Sequence, residues 1–176
     1  MKPDLVAAPP PAVDPTRALR HTLGHYPTGV AVVTTHAPDG RRVGLTVNSF
    51  ASLSLEPPLV LWSLANRSPN LATFRESGRF VVNLLAASQA ALARRFANGA
   101  IADKFDGVPL EAPWHEVPVL ADTLGWIACH TLEVLQGGDH TLFVGRVEGH
   151  ACRGGDALVF HRGRFGSTSA LEEIAS

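Results

Sequence analysis

A chain of 176 residues, 45% hydrophobic and 18% charged, is long enough for one domain with a real core and short for two. Fifteen Lys and Arg against sixteen Asp and Glu give a formal net charge of −1, so nothing draws the chain generally to nucleic acid or anionic lipid. Two cysteines, Cys129 and Cys152, lie far apart without CxxC spacing; this argues against a disulfide framework or structural zinc and fits a reducing cytoplasm.

Residues 1–13 are Ala/Pro-rich with one Lys and no continuous apolar run, which reads as a disordered tail and not as a secretory signal. No run approaches the roughly 20 apolar residues of a membrane helix. Asp14-Pro15 is a helix start, followed by Leu19 and Leu23 and closed near Gly24. The pattern then turns to strands. Val30–Thr35 is largely β-branched, and Asp39-Gly40 turns it into Val43–Ser49. Ala51–Leu55 stops at Glu56-Pro57-Pro58, and Leu59–Leu64 is apolar enough for a strand buried on both faces. Ser68-Pro69-Asn70 opens a helix carrying Leu71 and Phe74 that Gly78 ends. A strand over Arg79–Leu85, a helix over Ser88–Ala97 and an irregular stretch from 98 to 118 come next. The last third is sheet: Trp126–Leu135, the Gly137-Gly138 turn, His140–Ala151, the Gly154-Gly155 turn and Ala157–His161. Six or seven antiparallel strands with a few short helices favour a closed or nearly closed barrel, which removes exposed edges.

Several chemistries find no support. No two of the sixteen glycines stand two apart, as a Rossmann fingerprint needs, and there is no P-loop. His115-Glu116 begins like a zinc-protease motif, but the fifth position is Val119 and Pro118 would break the helix. Gly166-Ser167-Thr168 lacks the nucleophile-elbow pattern. No metal site is expected.

What stands out is the polar run Gly44-Leu45-Thr46-Val47-Asn48-Ser49-Phe50-Ala51-Ser52-Leu53-Ser54, at a strand end and around a bend and followed by Glu56-Pro57-Pro58-Leu59. Hydroxyls, an amide and unpaired backbone groups there suit a planar ligand with mixed donors and acceptors, such as a flavin's pyrimidine edge; the alternative is that they satisfy turn hydrogen bonds. Leu59–Leu64 then runs through Ala65-Asn66-Arg67 into Ser68-Pro69-Asn70, where free N–H groups, a hydroxyl and Arg67 suit a phosphate. Ordinary helix capping by Ser68 is the competing explanation.

With these segments in hand, the chain resembles the flavin reductase family of the FMN-binding split-barrel class, the small NAD(P)H-dependent components of two-component flavin monooxygenases. The resemblance runs in order from about Thr16 to Gly166, through Pro27–Thr35, Gly44–Leu59, Phe80–Leu85, Phe96-Ala97, Asp103-Lys104-Phe105, Gly138–Val147 and Leu158–Gly166. It implies a mainly β split barrel with short helices, spanning residues 14–168 between the N-terminal tail and a C-terminal tail at 169–176. It also implies a homodimer, with FMN or FAD as flavin, NADH or NADPH as co-substrate, and a separate monooxygenase receiving reduced flavin.

Carried over by position, the resemblance assigns cofactor contacts to Thr28, Thr46, Val47, Asn48, Ser49, Ser52, Ser63, Leu64, Ala65, Ser68, Asn83 and Phe105. His140 takes the catalytic position beside flavin and nicotinamide, although a lone His after a Gly-Gly turn is also an ordinary solvated residue. Asp103-Lys104-Phe105 has its own plain alternative, a surface ion pair beside an anchoring aromatic. Other functions on the same barrel are a non-enzymatic FMN-binding protein, a relative of the pyridoxamine phosphate oxidases or a haem-handling protein, since fold alone does not fix function. The Gly138–Val147 block belongs to the reductase branch.

Overall fold

The computed structural model describes residues 14–168; the tails expected at 1–13 and 169–176 lie outside the described residues. Helix α1, Pro15–Leu23, starts as the sequence indicates: Asp14 Oδ1 accepts from the Thr16 N–H at 3.0 Å, with proline in the first turn. The strands follow as β1 (Thr28–Gly29), β2 (Ala31–His36), β3 (Arg42–Val47), β4 (Ala51–Leu55) and β5 (Pro58–Ala65). Helix α2 (Leu71–Ser77) and β6 (Arg79–Leu84) come next. A 3₁₀ turn at Ala87–Gln89 leads into α3 (Ala90–Ala97), and β7 (Gly125–Gly137), β8 (His140–Cys152), β9 (Leu158–His161) and β10 (Arg164–Ser167) complete the chain.

All strand pairings are antiparallel, and seven strands form one sheet in the order β3-β2-β6-β7-β8-β5-β4. Chain connectivity shows that this sheet is rolled. Its two edges, β3 and β4, are consecutive in sequence, joined only by residues 48–50. Four Cα steps reach about 14 Å, whereas the outer strands of a flat seven-stranded sheet stand roughly 29 Å apart at the usual interstrand spacing. The edges must therefore curl toward each other, and the result is the nearly closed barrel expected from the sequence. Three further strands, β1-β9-β10, form a small second sheet. Sequence reading missed β1 and β10 because two and four residues carry no periodicity and exist as strands only through pairing with β9.

The barrel interior holds Val33, Val60, Phe80, Val82, Phe143 and Trp62, with Phe74 of α2 packed among them. Trp62 lies parallel to Phe143 at 4.7 Å between centroids and meets Phe74 edge-on at 4.9 Å. Gly145 on β8 makes room for this packing: a Cβ there would come within 2.9 Å of Cys129 Cβ and run into the Phe80 ring. The other face of the sheet carries a second cluster, in which Val32, Leu85 and Leu120 pack with Ala93 and Phe96 of α3. This is why β2 is buried on both faces.

Three expectations need correction. β5 is not buried on both faces: Val60, Trp62 and Leu64 are buried while Leu59, Leu61, Ser63 and Ala65 are half-exposed, the alternation of a strand with only one face on a core. The helix expected at Ser68 begins at Leu71, because residues 68–70 form a turn in which Ser68 Oγ accepts from the Asn70 N–H at 3.3 Å. The strand expected over Val43–Ser49 ends at Val47, where the chain leaves the sheet to cross the seam.

Candidate functional site

The seam between the barrel edges is where the polar run lands. Ser49 Oγ donates to the Ser63 carbonyl at 3.0 Å and accepts from the Ser63 N–H at 3.0 Å. One hydroxyl thus replaces both ladder bonds where β4 no longer covers β5, since the last β4–β5 pair is Ala51 with Leu61. Strand alternation points the Ala65 N–H to the same open side as the groups of Ser63, while the Ala65 carbonyl turns back to accept from Ser68 N at 2.9 Å. Asn48, next to Ser49, is exposed, and its amide has no hydrogen-bond partner among the described residues.

The end of β5 also meets the start of β8, where Ala65 pairs with His140. Asn66 fastens this corner. Its backbone N–H donates to the Asp139 carbonyl at 2.9 Å, its Nδ2 donates to the Gly138 carbonyl at 3.0 Å, and its Oδ1 accepts from Thr141 Oγ1 at 2.8 Å. Arg75 of α2 donates in turn to Thr141 Oγ1 at 3.2 Å. The turn carrying His140 is therefore held by three hydrogen bonds from one residue. His140 Nδ1 donates to Asp139 Oδ1 at 2.8 Å, which leaves Nε2 as the free ring nitrogen. The hydrogen bond and charge of His140, helped by Arg67, hold the Asp139 carboxyl below the usual carboxylate range.

The structure brings Asn48, Ser49, Ser63, Leu64, Ala65, Ser68 and His140 into one neighbourhood, and Thr28 shares a cavity wall with Asn48. Ser52 is exposed on β4. Other assigned residues are occupied elsewhere. Val47 and Leu64 point into the barrel core, so only their backbone is available. The Thr46 hydroxyl donates to the Ala93 carbonyl at 2.7 Å and ties β3 to α3.

The side chains of Asn83 and Phe105 are engaged within the protein, and Phe105 also lines a small cavity with Gly44, Pro69 and Lys104. The Asn83 amide is fully buried, donating to the Val32 carbonyl at 3.0 Å and to Thr34 Oγ1 at 3.1 Å, and accepting from the Leu120 N–H at 2.8 Å. The Phe105 ring is buried edge-on against Phe96 at 5.0 Å with the Arg42 guanidinium over its face. Its neighbours form a clasp and not a surface ion pair: Lys104 Nζ donates to the Phe96 carbonyl at 2.7 Å, and Arg95 donates to the Lys104 and Asp106 carbonyls. Burial lowers the Lys104 pKa. Cys129 has its pKa pushed up to about 12, first by burial and then by Glu148, so it remains an unreactive thiol.

Asn66 and Arg75 were not singled out from sequence as site residues. Their partners lie 66–75 positions further along the chain, and no local pattern marks them.

The free groups fit a flavin. The Asn48 amide, the open Ala65 N–H and the Ser68 hydroxyl supply donors and acceptors along one side of the seam, with half-exposed Leu61 and Phe50 as apolar neighbours. Fold and site define a split β-barrel with a polar seam suited to a planar ring system. The family model for the flavin reductase like domain matches residues 23–169, and the chain belongs to that family. It is 43% identical over 159 residues to the FMN reductase (NADH) SmoA of Agrobacterium fabrum (strain C58), covering 90% of each chain. Among solved structures, the NADH:FAD oxidoreductase SgcE6 of Streptomyces globisporus C-1027, in complex with NAD and FAD fragments, superposes with a TM-score of 0.81 at 34% identity over 88% of this chain and 94% of that one. The flavin reductase PheA2 gives a TM-score of 0.80 at 35% identity, covering 88% and 98%. The chain spans about half the length, 49% and 48%, of two further curated relatives.

Proposed function

We propose that the protein is an NAD(P)H:flavin oxidoreductase that passes reduced FMN or FAD to a separate monooxygenase. The observation that carries this reading is the corner where segments 48–49, 63–68 and 138–141 are hydrogen-bonded together, in a chain 43% identical to an FMN reductase (NADH). A flavin held here would supply the acceptor for a hydride from a reduced nicotinamide. Positioning is what the chain itself contributes. Asn48 and the Ala65 N–H hold the polar edge of the ring, and Ser68 with Arg67 takes the phosphate end. His140, its Nδ1 fixed on Asp139, presents Nε2 to the nicotinamide carboxamide. No proton-transfer dyad is required, because the two cofactors exchange the hydride directly.

The active form is a homodimer. Leu53 and Leu55 on β4, and Leu132, Val134 and Leu135 on the outer half of β7, are exposed, Leu55 at 93%. Large apolar side chains left exposed on the strands of a barrel are the kind of surface a second subunit covers. The monooxygenase partner follows from relatives such as the reductase component of 4-nitrophenol 4-monooxygenase/4-nitrocatechol 2-monooxygenase of Rhodococcus opacus.

The test is to mix purified protein with FMN or FAD and NADH or NADPH and follow loss of the nicotinamide absorbance. Catalysed oxidation with at least one combination is expected. Tight FMN binding without oxidation in any combination would instead make this a flavin-holding protein.

A further inference from the structure

Helix α2 reaches the corner that carries His140 through one side chain. Phe74 is buried in the barrel core and pins the helix there. The next residue, Arg75, is exposed, and its Nη2 donates to Thr141 Oγ1 at 3.2 Å. Thr141 follows His140 on β8 and is fully buried. Its hydroxyl donates to Asn66 Oδ1 at 2.8 Å, and Asn66 Nδ2 donates to the Gly138 carbonyl at 3.0 Å.

The direction of every bond in this chain follows from its first member. A guanidinium carries donors only and never accepts. Thr141 Oγ1 therefore accepts from Arg75, and its single proton is left for Asn66. An amide has two unlike ends, and the end that meets an O–H donor is the oxygen. Nδ2 is thereby turned to the Gly138 carbonyl, where an oxygen in its place would face another oxygen. A hydroxyl and an amide can each be turned either way, and a first partner that cannot accept removes the choice. Bonds arranged head to tail in this manner also polarise one another. An exposed cation thus orients an amide it does not touch, and that amide closes the turn from which His140 projects.

We propose that Arg75 is a positioning residue for His140: its donor-only guanidinium orients the Thr141 hydroxyl, and through it the Asn66 amide, in the one sense that holds the turn at residues 138–140 against the end of β5. The consequence for turnover rests on the proposed reductase activity, whereas the hydrogen-bond chain does not.

The test compares Arg75→Lys, which keeps a donor-only cation, with Arg75→Met, which removes the donor, and with Thr141→Val, which removes the hydroxyl. Thr141→Val is expected to lower kcat about fivefold and Arg75→Met about threefold, with FMN affinity within about twofold of wild type in both. Arg75→Lys is expected to recover most of the loss. Amide hydrogen exchange reads the chain without turnover: the Asn66 N–H, which donates to the Asp139 carbonyl, exchanges faster in Thr141→Val and Arg75→Met than in wild type or Arg75→Lys. Unchanged protection of buried Val82 on β6 verifies the fold. Adding Arg75→Met to Thr141→Val is expected to cause no further loss, because both act along one path; an effect of charge alone would persist in that background. Arg75→Lys no better than Arg75→Met, a further loss in the double variant, a loss of FMN affinity equal to that in kcat, or wild-type exchange and kcat in Thr141→Val would overturn the assignment. If wild type oxidises no reduced nicotinamide, the reductase activity falls, and the exchange difference between Arg75→Met and Arg75→Lys still decides the chain: present, it supports the role of Arg75, and absent, it overturns it.

Discussion

The side-chain amide of Asn83 has no capacity left for a ligand, and that explains its place in the fold. It joins β2, β6 and the irregular segment at Leu120 through bonds that each end on a buried partner. Replacing it with leucine keeps the volume but strands the buried Leu120 N–H. We expect Asn83→Leu to cost on the order of 3 kcal/mol, read as a lower urea midpoint with an unchanged slope. A residue whose main role was to hold flavin would leave the midpoint of the flavin-free protein nearly unchanged. At this scale the sequence showed which residues are polar and near a strand end, but not which had their hydrogen bonds already taken. Thr46 and Ser49 look equally available in the string Thr46-Val47-Asn48-Ser49; only the positions of Ala93 and Ser63 show that both hydroxyls are used by the protein.

Among elements, the turn between β7 and β8 and the end of β5 act as one unit, because Asn66 bonds to both Gly138 and Asp139. Asn66 touches neither proposed cofactor and is a positioning residue for His140. Asn66→Ala is expected to lower kcat about tenfold, roughly 1.4 kcal/mol in transition-state stabilisation, with a smaller effect on flavin affinity. Steady-state kinetics beside fluorescence titration with FMN separates the two; equal losses in both would assign Asn66 to binding instead. Strand and helix identities were largely legible here, since β-branched runs, Gly turns and the Asp14-Pro15 start are local signals. The end of β3 and the start of α2 were not, because the chain leaves regular structure there to cross the seam and to form the turn at Ser68.

For the whole molecule, the barrel is closed by connectivity and one hydroxyl, and it leaves apolar side chains on its outside. The proposed dimer accounts for them. Leu55→Glu/Leu132→Glu is expected to sediment as a monomer with most reductase activity lost, while wild type sediments as a dimer; a monomeric and fully active wild type would count against the homodimer as the active form.

The sequence by itself determined the class of protein, because alternation, turn residues and the ordered polar blocks are properties of neighbours along the chain. It also located the two stretches, 44–54 and 59–70, that adjoin the site. Tertiary structure decided how each of those residues is used. Whether a hydroxyl faces a ligand or a carbonyl depends on contacts between segments 14 to 47 residues apart in the chain. No local pattern encodes these, and the fold alone brings them within hydrogen-bond reach.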